Sequence, residues 1–174
     1  GEWVLKKLDE LAHATRPRHL TIKEGTRLPL LGGEAEVRVL PGANRVRWIA
    51  DTLVLEARPE ADLGQLAKRA LQKRALTHFS ERLDHFATRL DLAPPKLSLS
   101  SAHTRWGSCS HRGGIALNWR LILMPLAIVD YVVTHELAHL REMNLPPRLS
   151  SVVRQLCPDC RARGHDRGQL ARQI

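Results

Sequence analysis

Apolar and polar residues alternate in short runs over the first third of the chain, then change to three- and four-residue steps. His19-Leu20-Thr21-Ile22 and Glu36-Val37-Arg38-Val39-Leu40 follow the period-two pattern of half-buried strands. Gly32-Gly33 and Pro41-Gly42 punctuate them as turns. Arg45-Val46-Arg47-Trp48-Ile49 and Thr52-Leu53-Val54-Leu55 predict a hairpin around Ala50-Asp51, so 18–57 reads as β structure. From Ala61 to Leu90 the apolar positions (Leu63, Leu66, Ala67, Ala70, Leu71, Ala75, Phe79, Leu83, Phe86, Ala87) fall on one helical face. This predicts one long amphipathic helix or two end to end, stopped by Pro94-Pro95. Lys96–Ser100 reads as a strand. Gly113-Gly114 turns into a strand at Ile115-Ala116-Leu117, and Trp119–Leu123 is also strand-like. Pro125 suits the first turn of a helix running to about Met143, with Asn144 or Pro146-Pro147 as its stop. A last helix from Leu149 towards Arg163, kinked at Pro158, and a frayed polar tail complete the expectation. The fold class is α+β in one domain over 1–174, with a β-rich part at 1–60, a core at 61–163 and a flexible tail at 164–174.

Composition narrows the function classes. At 174 residues with 43% hydrophobic content the chain suits one domain with a core, not a disordered segment. The longest apolar run, Leu121–Val133, is broken by Pro125 and Asp130 and is too short to cross a membrane, so no membrane partner is expected. Three cysteines and no signal-peptide layout at the start predict a reducing, cytoplasmic setting. The net charge of +9 makes nucleic acid a candidate partner, against the plainer reading of arginines solvated along helix faces. Aromatics at 4% are too sparse for a single-strand stacking platform.

The chemistry concentrates in Thr134-His135-Glu136-Leu137-Ala138-His139-Leu140, an H-E-x-x-H pattern on the second predicted helix. Residues four apart share a helix face, so the imidazoles of His135 and His139 can reach one metal ion. Glu136, about 100° further round the helix, can hold a water beside that ion and take its proton. The alternative is a chance match on an ordinary helix. The surroundings favour the metal: Leu126, Val129, Val133, Leu137 and Leu140 form an apolar stripe, while the histidine side carries Ile128, Tyr131 and Val132 rather than Lys and Glu. Two histidines on a covered face need a partner, and a cation is the simplest.

With its flanks, the pattern resembles a known family. Thr104-Arg105-Trp106-Gly107-Ser108-Cys109-Ser110, Gly114-Ile115-Ala116-Leu117-Asn118-Trp119-Arg120-Leu121-Ile122 and Asp130 through Leu140 look like the YgjP-like metallopeptidases, relatives of the SprT-type zinc proteases. The likeness runs from about Leu63 to Cys160. It implies a zincin-like α+β domain, a small sheet packed on a long helix and the H-E-x-x-H helix, with Arg105–Cys109 beside the metal cleft. It also implies a zinc cofactor on His135 and His139, Glu136 as general base, and a peptide or protein substrate. One departure stands out. The family follows its helix with N-H-S-x-x-F-W, whose histidine is the third zinc ligand; here the run is Asn144-Leu145-Pro146-Pro147-Arg148-Leu149-Ser150, and Leu145 occupies that place. No histidine lies between His139 and His165. Leu145 has no lone pair, so either Glu142, His165 or His103 replaces the ligand, or the protein is a degenerate homologue acting as a binding module.

Further residues carry paired readings. Arg105 either stabilises an oxyanion or binds a substrate carboxylate, or it forms a buried ion pair with Asp130 or Glu142. Asn118 bonds in the cleft or ends a strand. Tyr131, the only tyrosine, packs beside the ligands or donates to a transition state. Trp106 and Trp119 read as core. Cys157-Pro158-Asp159-Cys160 has C-x-x-C spacing with no second pair, so a structural role is expected. Cys109 is expected to be structural, and His13, His19, His78, His85 and His111 to lie on the surface.

Overall fold

The computed structural model describes residues 21–144. The expected strand residues His19 and Leu20, the helix from Leu149, the C-x-x-C pair and the tail lie outside the described residues.

Among the described residues four strands come first: β1 (Arg27–Leu30), β2 (Gly33–Pro41), β3 (Arg45–Ile49) and β4 (Thr52–Ala57). They form one sheet in the order β1-β2-β4-β3, with β2 and β4 parallel and the other pairs antiparallel. Ile22 lies outside any strand, and the first strand is β1 instead. Its alternation is hidden in Arg27-Leu28-Pro29-Leu30, where proline occupies an edge position. Pairing with β2 sends Leu28 and Leu30 into the core. The hairpin between them turns through Leu31 (φ 49°) and Gly32 (φ 88°), a left-handed pair that matches strand twist. Its tip docks on the second half of the molecule: Leu31 N donates to the Ile122 carbonyl at 3.0 Å. The expected hairpin at Ala50-Asp51 is present, Ile49 pairing with Thr52. Arg74 closes it, donating to Ala50 O and Asp51 Oδ1 at 2.9 and 2.8 Å while its guanidinium lies over the Trp48 ring.

A single helix, α1 (Leu63–Arg89), follows, capped by the Asp62 side chain. Its stripe from Leu66 to Ala87 is buried as its spacing predicts. It ends before Pro94: Asp91 takes φ 54° and the amides of Asp91 and Leu92 turn back onto Thr88 and Ala87. The second sheet holds β5 (Lys96–Ser100), β6 (Gly107–Cys109) and β7 (Gly114–Asn118) in the order β5-β7-β6. Trp119–Leu123 is a short 3-10 helix, not a strand. The apolar run alone does not distinguish the two; Asn118 decides, because its side chain accepts from Arg120 N at 3.0 Å and caps a helical turn. The last described element is α2 (Leu126–Asn144), whose first amides are received by the Pro125 carbonyl. One continuous core joins α1, α2, the inner face of the four-stranded sheet and β7.

Candidate metal centre

Of the two α-helices among the described residues, α2 is the more deeply enclosed. Every residue from Tyr131 to Ala138 is buried, so both faces are covered over that span, whereas the expected stripe is open at its ends, with Leu126 40% exposed and Leu140 half-buried. Burial of the second face follows from β6. Gly107 lies so close that a β-carbon there would sit 3.1 Å from Glu136 Cγ and 3.1 Å from Val132 Cγ1. A side chain at this place would hold the strand away from the helix.

On this covered face His135 is 2% exposed and His139 half-buried. Their Nε2 atoms are 3.1 Å apart with the rings near perpendicular, at 84°. Burial, reinforced by the neighbouring His139, holds His135 down to about 3, and burial also lowers His139. Two neutral rings this close either share one proton in a hydrogen bond or aim two lone pairs at a common cation. A separation of 3.1 Å suits both: it is an ordinary N–H···N hydrogen-bond length, and two nitrogens at about 2.0–2.1 Å from a tetrahedral zinc lie about 3.3 Å apart. The Tyr131 ring stacks on His135 at 6.1 Å, and burial pushes its phenol up to about 12. Glu136 is 4% exposed; burial raises its carboxyl to about 7, with Arg105 pulling the other way. That places a buried carboxylate near half-ionisation at neutral pH, the range suited to a general base.

The remaining candidates divide. Arg105 is exposed and, among the described residues, has no ion pair; Asp130 is held instead by Arg82 through both carboxylate oxygens. Arg105 nevertheless lies within electrostatic reach of Glu136. Asn118 is buried, and its amide nitrogen donates to the carbonyls of Ala102 and Arg105 at 2.7 and 3.1 Å. With its oxygen capping Arg120, it braces the loop carrying Arg105. Glu142 is half-buried and its charge favours protonation of His139, whereas His103 is exposed. Among the described residues no three His, Cys, Asp or Glu side chains are placed to hold one metal ion. Leu145 and His165 lie outside the described residues. Cys109 is a free thiol, half-buried and raised to about 11 by burial and by Glu136. Trp119 is core, with Nε1 buried and without a hydrogen-bond partner among the described residues, and Trp106 packs against that core. His85 and His111 are exposed, but His78 departs from expectation: it is half-buried, its Nε2 enclosed and likewise without a hydrogen-bond partner among the described residues. Its place on the helix flank beside Phe79 had only a polar side chain as signal.

Sequence reasoning passed over two relations that shape the centre. The contact of Gly107 with Glu136 joins residues far apart in the chain. Arg82 reads as one more solvated arginine until Asp130 is brought against it.

A family model described as YgjP-like, metallopeptidase domain, matches residues 1–166. No curated protein matches the chain. Among solved structures the chain is similar to the metallopeptidase zymogen of Pyrococcus abyssi abylysin, with 23% identity, 48% of this chain and 84% of that one covered, and a TM-score of 0.43. No helix among the described residues is long and apolar enough to cross a membrane.

Proposed function

The chain belongs to the YgjP-like family of metallopeptidase domains, and on that premise we propose that it is a zinc-dependent peptidase with its site on α2. The observation that carries this is the 3.1 Å approach of the Nε2 atoms of the buried His135 and the half-buried His139 beside the buried Glu136 carboxylate. His135 and His139 would hold the metal. A bound zinc supplies Lewis acidity, making a water acidic near neutral pH and polarising a carbonyl. Glu136 takes the proton of the attacking water and passes it to the departing amine. β6 keeps bulk water off the carboxylate, because Gly107 lets the strand close on it. Arg105, held by Asn118 and free of a carboxylate partner among the described residues, and the Tyr131 phenol, protonated at any physiological pH, are the groups proposed to meet negative charge on the substrate. Glu142, whose charge reaches His139, would have to move to complete the ligand set, since as placed it forms no three-donor group with the two histidines. Substrate is a peptide or protein.

The test is metal content with activity. About one zinc per chain, lost in His135→Ala, together with hydrolysis of a fluorescence-quenched peptide that is abolished in Glu136→Gln, supports the peptidase. A second reading, a non-catalytic binding module on the same fold, is favoured by the lack of a three-donor group among the described residues. Absence of zinc at saturating supply would select it. A nucleic-acid partner for that module rests on net charge alone and would show as binding that weakens steeply with salt.

A further inference from the structure

Two directional ties hold α2 to the α1 end of the molecule. Arg82 donates from Nε and Nη2 to Asp130 Oδ1 and Oδ2 at 2.8 and 2.9 Å. Farther along, Arg141 Nη1 donates to the Leu90 carbonyl at 3.2 Å. Because 82 meets 130 and 90 meets 141, the two helices run in the same direction, and His135 and His139 lie between the ties.

The rest of the shared core is apolar, with Phe79, Leu83 and Phe86 on α1 and Val129, Val133 and Leu137 on α2 all buried. Apolar packing resists exposure but is non-directional, so it tolerates small rotations of a helix about its axis. A fork-to-fork guanidinium–carboxylate pair does not, because two parallel hydrogen bonds are lost together when either group turns. The Arg82 guanidinium is itself fixed over the Phe86 ring at 5.1 Å. His78, one turn earlier on α1, has its pKa lowered by burial and by Arg82, with Glu81 and Asp130 pulling the other way. Between the pair and His135, the Thr134 hydroxyl folds back on the helix itself, meeting the Asp130 and Tyr131 carbonyls at 2.9 and 3.0 Å.

We propose that the Arg82–Asp130 pair is a positioning device that sets the rotation and register of α2, so that the face carrying His135, Glu136 and His139 is presented squarely to β6. The consequence for a metal rests on the peptidase reading; the placement of that face does not.

The test separates position from stability. Replacing both partners by apolar residues, Arg82→Met with Asp130→Leu, removes the directional tie without stranding a buried charge, an exchange that is often neutral or stabilising. Single variants would leave one charge unpaired and confound the two effects. In the full-length, metal-free chain, two-bond nitrogen–proton correlation reports the ring nitrogens of His135 and His139. Displaced Nε2 resonances at an unchanged melting temperature are expected. Cobalt(II) titration, read by its visible ligand-field bands, is expected to weaken about tenfold with an altered envelope, and Arg82→Lys, which keeps charge but loses the fork, to fall between. Ring resonances and cobalt affinity matching wild type in the double variant would overturn the proposal. If wild-type protein takes up no cobalt, the metal reading fails instead, and the ring nitrogens alone decide whether the pair positions them.

Discussion

Replacing Gly107 by alanine adds one methyl group where β6 comes nearest to the base. The new carbon would lie 3.1 Å from Glu136 Cγ, 3.1 Å from Val132 Cγ1 and 3.3 Å from Leu117 Cδ2, so each neighbour must give by a few tenths of an ångström. None gives freely. Val132 is β-branched and stiff in a helix, Leu117 is on the strand that pairs with Gly107, and Glu136 Cγ lies at the root of its side chain. Overpacking of this kind costs about 1–3 kcal/mol. Gly107 is outside the left-handed region, so alanine also restricts the unfolded chain and returns about 0.4–1 kcal/mol. The net expectation is a loss of about 0.5–2 kcal/mol, or about 2–6 °C in melting temperature for a chain of this size. Differential scanning calorimetry of wild type and Gly107→Ala checks it. Because the strain falls on Glu136, peptide hydrolysis should fall further than the population of folded protein does. A variant melting at or above wild type with unchanged hydrolysis would show that β6 does not press on the base, and the account of the covered face would fail.

Glu136→Gln should keep zinc while lowering peptide hydrolysis by about 10²-fold or more, measured on metal-loaded protein. The same variant tests the buried charges without metal. His135 titrates at 6.5 when unfolded and about 3 when folded, so acidification below 6.5 destabilises the fold; His78 and His139 act in the same direction. Glu136 runs the other way, since its folded value of about 7 exceeds the unfolded 4.5 and the native state gains as pH falls between them. Between pH 6.5 and 5, Glu136→Gln should therefore lose about 2 kcal/mol more than wild type in urea denaturation, at about 1.4 kcal/mol per pH unit; equal slopes would refute it. Arg105→Gln removes the cation that favours the ionised base, so the acid limb of the hydrolysis profile should move to higher pH. Removing zinc with a chelator should abolish hydrolysis and lower the melting temperature, and readdition should restore both.

Local pattern was enough for the elements whose partners are near in sequence. The hairpin at Ala50-Asp51, the stripe of α1 and the H-E-x-x-H face of α2 are set by periodicity of two or of 3.6 residues, which any folded context must respect. The resemblance carried by Arg105–Cys109, Gly114–Ile122 and Asp130–Leu140 pointed to the family that the chain belongs to. Where local signals compete, long-range contact chose. Trp119–Leu123 became a 3-10 turn because Asn118, whose amide is held by the distant Ala102 and Arg105 carbonyls, caps it, and Arg27–Leu30 became a strand because β2 offers it a partner. The centre divides the same way. The order of His135, Glu136 and His139 along a helix was written in the residues themselves. That His135 is stripped of water and His139 partly so, that Gly107 admits β6 against the base, and that Arg82 rather than Arg105 holds Asp130 depend on elements tens of residues apart. Burial and ion pairing act through space, and only the folded chain brings those groups within range.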